Sequence, residues 1–267
     1  MSESLIDIGV NLSNNRFADD LDQVIERALA TNIKQLVLTG TSVQETQKAI
    51  EICDSLEQKY PDTLYATAGI HPHDADELNS EKLTILSTLA DSDAVVAIGE
   101  TGLDFNRNFS TTANQISAFE AQLELAAEKK MPLFMHERDA AEKQIEIITD
   151  YRDHFTRGVI HCFTGDKQTL YRYLDLDLYI GITGWVCDPK RGEQLRKIVA
   201  DIPLNRLMIE TDAPYLIPKN MPQPPKNRRN EPAFLGYVLE EIQNQRSETV
   251  ETIAQATTAN AKQFFNI

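Results

Sequence analysis

Ala94-Val95-Val96-Ala97-Ile98-Gly99-Glu100 is an unbroken apolar run that ends on a carboxylate. A run without apolar–polar alternation, rich in valine and isoleucine and closed by glycine, reads as a strand buried on both faces. A strand with one wet face would alternate with a period of two. Glu100 is therefore a chemically capable side chain at a strand end, and the question is whether its neighbours along the chain repeat the pattern.

They do, in both directions. Runs of the same kind lie at residues 5–8, 35–39 and 64–69 before it, and at 132–136, 159–161, 178–182 and 207–211 after it. With 94–99 these predict eight strands. The segments between them have helical period. Phe17, Leu21, Val24, Ile25, Ala28 and Leu29 fall on one stripe of a 3.6-residue helix. Ser42-Val43-Gln44-Glu45 and Thr112-Ala113-Asn114-Gln115 match the capping-box pattern of a helix start, and Ile116, Phe119, Leu123 and Ala126 continue an apolar stripe after the second. A last helix pair is expected at about residues 231–245 and 247–265.

Strand–helix alternation repeated eight times admits a closed barrel or an open doubly wound sheet. No G-x-G-x-x-G follows the first strand, as a dinucleotide fold would require. Polar residues suited to chemistry follow many different strands, and a barrel is the arrangement that gathers all those ends. The expectation is a single (β/α)8 TIM-like barrel with an extra C-terminal helix, one domain over residues 1–267. Residues 214–232, rich in Pro, Asn and basic side chains, are expected to form a long loop after the eighth strand.

Composition narrows the classes. The 42% hydrophobic and 25% charged content is that of a globular chain. No stretch approaches the roughly 18 consecutive apolar residues of a membrane span, and Met1-Ser2-Glu3-Ser4 lacks the basic and then apolar run of a signal peptide. Cys53, Cys162 and Cys187 are scattered and odd in number, which suits a reduced compartment. A cytoplasmic protein without membrane contact is the expectation. The net charge of −15 disfavours broad adhesion to nucleic acid but allows a local basic groove.

The strand ends carry the chemistry. Glu100 closes the fourth run, His136 the fifth, His161 the sixth, and Asp212 follows the eighth. A carboxylate–His–His–carboxylate set suits a divalent cation, which acidifies a bound water and polarises a phosphoryl or carbonyl oxygen. Glu100, His136, His161 and Asp212 are the expected metal ligands, with Glu100 and Asp212 as catalytic carboxylates and Asp212 as the acceptor of the water's proton. A lone strand-end histidine is more often a hydrogen-bonded structural residue; four ligand-type residues at corresponding ends are not readily accidental. In Gly69-Ile70-His71-Pro72-His73, His71 is expected to contact substrate, while His73 is equally a ligand or a hydrogen-bonding residue of a rigid loop. Asp7, on one face with Gly9 and Asn11, and Glu210, of the same parity as Asp212, are candidates for supporting hydrogen bonds. His154, in a charged stretch, is expected at the surface. Lys226, Arg228 and Arg229 cluster in the long loop, where barrels often hold phosphate, and Trp185 offers a stacking face. Arg228, Arg229 and Trp185 are therefore expected to bind substrate.

Gly69-Ile70-His71-Pro72-His73, Ile98-Gly99-Glu100-Thr101-Gly102-Leu103-Asp104, Met135-His136, His161-Cys162-Phe163-Thr164-Gly165 and Glu210-Thr211-Asp212-Ala213-Pro214-Tyr215 together resemble the TatD family of metal-dependent deoxyribonucleases. The resemblance continues through Gly181-Ile182-Thr183-Gly184-Trp185-Val186 and Arg228-Arg229-Asn230-Glu231-Pro232 and covers nearly the whole chain. It implies a barrel of the amidohydrolase superfamily, metal and catalytic roles for Glu100, His136, His161 and Asp212, and a substrate-side role for His71. It further implies a divalent cation, Mg2+ foremost with Mn2+ or Zn2+ as alternatives, and 3′-to-5′ exonucleolytic hydrolysis of DNA, single-stranded or frayed at its ends. Many family members carry H-x-H at the end of the first strand, where this chain has Gly9 and Asn11. That departure implies one firmly held cation, a second being weak or substrate-assisted. A monomer is expected. The competing functions are a metal-dependent ester or amide hydrolase acting on aminoacyl-tRNA or a small molecule, and a barrel kept as a binding surface.

Overall fold

Every residue of β1 (Leu5–Val10) is buried, as its lack of alternation requires. It is followed by β2 (Ile33–Leu38), β3 (Leu64–Ala68), β4 (Val95–Asp104), β5 (Leu133–Arg138), β6 (Gly158–Ile160), β7 (Tyr179–Ile182) and β8 (Leu207–Ile209). All eight belong to one sheet in sequence order, and each described pairing is parallel. Between the strands, and after the last, run α1 (Leu21–Ala30), α2 (Val43–Leu56), α3 (Ser80–Leu89), α4 (Thr112–Lys129), α5 (Ala141–Tyr151), α6 (Lys167–Asp175), α7 (Glu193–Ile198), α8 (Leu235–Gln243) and α9 (Val250–Phe265). Eight strand–helix units and a supplementary α9 make this a (β/α)8 TIM-like fold with an extra C-terminal helix. The computed structural model describes residues 3–267, so Met1 and Ser2, part of the N-terminal expectation, lie outside the described residues.

Several boundaries differ from expectation for identifiable reasons. β4 does not stop at Gly99 but continues to Asp104, with Thr101 to Asp104 in register with Met135 to Arg138 of β5. Gly99, expected to close the run, lies within the strand, and so does Gly102. Gly102 sits at φ +131°, and a Cβ there would lie 2.1 Å from the His136 carbonyl oxygen, so only glycine fits. The Ser42 cap forms as expected, its hydroxyl accepting from Glu45 N–H. The cap of α4 is Thr111 rather than Thr112: Thr111 has the extended backbone and accepts from Asn114 N–H. Phe17 is buried in a short 3-10 turn before α1 rather than within the helix.

Contacts group the chain into two compact units: one runs to Leu38 and takes in Cys162–Leu170 and Ile180–Ile267, the other comprises Thr39–His161 and Tyr171–Tyr179. In the first, the ends of β1 and β8 are joined by Asp212 N–H to Gly9 O and Asn11 N–H to Ala213 O, and α9 packs on both strands. In the second, buried glutamines of the helices satisfy backbone groups at strand ends. Gln122 takes Ile70 N–H and donates to Ile70 O; Gln115 does the same for Asp104; Gln144 accepts from Leu103 N–H. Such clasps take backbone groups that the glutamine side chains, rather than another strand, satisfy and that would otherwise be buried without partners. No helix among the described residues is long and apolar enough to cross a membrane.

Candidate metal centre

Four side chains of the second unit meet at one atom, two from within β4 and β5 and two from the residues after β3 and β6. Glu100 Oε1 lies 2.7 Å from His161 Nε2, 2.9 Å from His136 Nδ1 and 3.3 Å from His71 Nε2. Each is placed by its backbone: Glu100 N–H donates to Gly40 O, His71 N–H to Thr41 O, and His161 N–H to Met135 O. His71 Nδ1 accepts from His73 N–H, which leaves the His71 Nε2 proton directed at Glu100. The rings pack on one another, His71 against His136 at 4.5 Å and Phe134 stacked on His161 at 4.6 Å.

The charges follow from this packing. Burial opposes ionisation of Glu100, but His161 and His71, with hydrogen bonds from His136 and His161, outweigh it and hold the carboxyl well below its usual range. Burial pushes His71 down to about 4 despite the attraction of Glu100. For His136 burial is outweighed by Asp104 and Glu100, and its pKa rises.

The donor set fits a divalent cation. Ligand atoms of His71, Glu100 and His136 all lie within 4.8 Å of one another. His136 Nε2 is buried without a hydrogen-bond partner; its nearest carboxylate oxygen, on Asp104, is at 3.6 Å, an electrostatic contact rather than a hydrogen bond. An orphaned buried imidazole nitrogen beside an ionised carboxylate is what a missing ligand of positive charge would satisfy.

The other expected residues have partners of their own. Asp212 is described within the first unit. It follows β8 in a left-handed conformation at φ 52°, and its Oδ1 accepts from the Asn11 amide at 3.0 Å. Asp7, in the same unit, is fully buried, which raises its carboxyl to about 8; it accepts Thr211 N–H and so fixes the peptide that leads into Asp212. Glu210 accepts Cys162 N–H. His73 is a hydrogen-bonding residue, its Nε2 at 2.7 Å from Asp104 Oδ2. Trp185 is half-buried: Nε1–H donates to Arg191 O and the Arg191 guanidinium lies over its ring at 4.4 Å. Arg228 and Lys226 are exposed, and so is His154, as expected of a surface residue.

Arg229 corrects its expectation. It is buried, its guanidinium paired with both oxygens of Asp20, with Glu231 and with Arg16 O, and it lies over the Phe17 ring. A fork occupied in this way pins the loop after β8 and is not open to a phosphate. Asp104 was not assigned a role from sequence. The signal was its place four residues beyond Glu100, on the same face of an extended strand, but the two glycines between concealed that the strand continues.

An ionised carboxylate amid imidazoles in a (β/α)8 fold is the donor set of a metal-dependent hydrolase. The chain belongs to the TatD related DNase family, whose model matches residues 6–266. It is 46% identical to the 3′-5′ ssDNA/RNA exonuclease TatD of Salmonella typhimurium, over 98% of this chain and 99% of that one. Against the protein of the same description from Citrobacter rodentium the identity is 48%, over 98% of each. Among solved structures it is similar to a hydrolase TatD family protein from Entamoeba histolytica, with TM-score 0.91 and 26% identity over 99% of both chains. It is also similar to YJJV, a TatD homologue from Escherichia coli K12, with TM-score 0.87 and 26% identity over 98% of both.

Proposed function

We propose that this protein is a metal-dependent nuclease that hydrolyses phosphodiester bonds from the 3′ end of single-stranded or frayed DNA. The observation that carries the reading is the Glu100 carboxylate held anionic by His71, His136 and His161 in a member of a DNase family. The relatives described as acting on both ssDNA and RNA extend the proposed substrates to RNA.

Glu100, His136 and His161, with His71 beside them, are the residues that would hold the cation; Mg2+ is the proposed ion, with Mn2+ or Zn2+ as alternatives. When bound it supplies Lewis acidity for attack of water on phosphorus. Glu100 brings the negative charge, and His136 presents its unpartnered Nε2, with the Asp104 carboxylate 3.6 Å from that same nitrogen. Asp212 is proposed as the carboxylate that accepts a proton from water, on the strength of its chemistry and its place after β8. Exposed Arg228 is proposed to meet the phosphate backbone and Trp185 to contact substrate. Gly9 offers no ligand atom and the Asn11 amide is turned to Asp212, which supports one firm cation site. The proposal takes the whole chain as one catalytic domain, monomeric and cytoplasmic, with DNA repair as its task; free thiols at Cys53, Cys162 and Cys187 suit such a compartment.

The test is digestion of a 5′-labelled single-stranded oligonucleotide by protein freed of other nucleases. Progressive loss from the 3′ end with Mg2+ or Mn2+, stopped by a chelator, is expected. Retained digestion in His136→Ala combined with Glu100→Ala would overturn the site, and turnover of aminoacyl-tRNA without shortening of DNA would replace the substrate class.

A further inference from the structure

Phe109 is 64% exposed, one of only three large apolar side chains so placed among the described residues. It stands in the loop between β4 and α4, and its ring meets the edge of His73 at 4.7 Å between centroids, with the planes at 73°. His73 in turn meets His71 at 4.2 Å, and His71 is a member of the cluster around Glu100. Two ring contacts thus connect an open aromatic face to the candidate metal centre.

The loop that carries Phe109 is fixed. Asp104 Oδ1 accepts Asn106 N–H at 2.9 Å and Arg107 N–H at 2.8 Å, while Oδ2 of the same carboxylate holds His73. At the far end Ser110 is buried: its hydroxyl donates to His73 O and accepts Asp76 N–H. Between these ties Asn106, Arg107, Asn108 and Phe109 are all exposed. Arg107 makes no ion pair among the described residues. An exposed cation and an exposed ring two residues apart, on a loop secured to the histidine cluster, match what binding of single-stranded nucleic acid uses: charge for the backbone and a π-face for the base. In a chain of net charge −15, such a cation must act locally.

We infer that the loop 105–109 is the subsite for the nucleotide at the scissile end, with Phe109 stacking on its base and Arg107 pairing with a backbone phosphate. The inference rests on the nuclease reading above and names residues that would select a nucleotide rather than a bare phosphate ester. Stacking has no preference among bases, since each offers a π-face, so the loop suits an exonuclease that must accept every terminal nucleotide in turn.

The test is fluorescence anisotropy of a labelled single-stranded oligonucleotide with the full chain, in chelator and low salt, followed by cleavage with Mn2+. Phe109→Ala should weaken binding about tenfold, within the range of one base–aromatic stack, and Phe109→Trp should restore it. An oligonucleotide with an abasic 3′ residue should bind wild type and Phe109→Ala alike and be cut by both at the same rate. Arg107→Ala should weaken both oligonucleotides equally and lower the slope of log Kd against log salt by about 0.7, one phosphate on a single strand. Shortening of the normal oligonucleotide by Phe109→Ala with unchanged Kd, or an equal loss on the abasic one, would overturn the stacking role. Binding lost in Phe109→Ala but no shortening by wild type would sink the nuclease reading alone. Absence of binding by wild type would sink the inference itself.

Discussion

Asp104 binds in two directions. One oxygen takes the two backbone N–H groups that open the following loop, and the other meets His73 at 2.7 Å and His136 Nε2 at 3.6 Å. Burial opposes its ionisation, but His136, the Arg107 N–H and His73 hold the carboxyl well below the usual carboxylate range. It faces the His136 nitrogen that has no hydrogen-bond partner, and so adds negative charge where a cation held by that nitrogen would sit. Asp104→Asn keeps the size and removes the charge. It is expected to lower divalent-ion affinity by roughly 10–100-fold, read by calorimetric titration with Mn2+, with little change in the folded circular-dichroism spectrum. Unchanged affinity would leave Asp104 as a loop tether only.

The long segment after β8 is irregular from Glu210 to Glu231, yet it is held at its far end by a charge network. Arg229 pairs with Asp20 and Glu231, and Arg27 pairs with the same two carboxylates. Hydrogen bonds from Arg229 and then Arg27, against the opposing effect of burial, bring the Asp20 carboxyl down to about 2. A carboxyl depressed by folding adds stability that is complete above its unfolded value of about 4 and is lost as the pH falls through about 2. Asp20→Asn is therefore expected to be less stable than wild type at pH 7, by about 1 kcal/mol or less because the pair is partly exposed. The difference should shrink as the pH falls below about 4. Urea unfolding at pH 7 and pH 3 checks this. A gap that does not close in acid would assign the effect to lost packing instead of charge.

Taken as a molecule, the chain combines a net charge of −15 with a cluster that fits a cation. Acidic charge favours the ion and disfavours a polyanionic substrate, so recognition of nucleic acid must be local and must weaken with salt. An ion that binds only the folded state stabilises it by about 2.7 kcal/mol at a hundred times its Kd. For a chain of this length that corresponds to a rise in Tm of about 5–10 °C. Scanning calorimetry with and without saturating Mn2+ is expected to show that rise in wild type and not in Glu100→Gln. A wild-type Tm indifferent to every divalent ion would remove the metal centre.

Eight apolar runs were enough to foresee eight parallel strands, because burial on both faces leaves a pattern along the chain that needs no knowledge of what lies beside it. The same runs picked out Glu100, His136 and His161, although Glu100 and His136 lie within β4 and β5 rather than at their ends. What could not be read there depends on groups far apart in sequence. His71 joins Glu100 because Thr41 and Gln122 hold the backbone around it; β4 outlasts its glycines because β5 continues to pair with it. Arg229, legible only as a cation in a loop, becomes a buried clamp because folding brings Asp20 to it. Local pattern governs which segments leave water, whereas the partner of each polar group is settled only when distant segments compete for it.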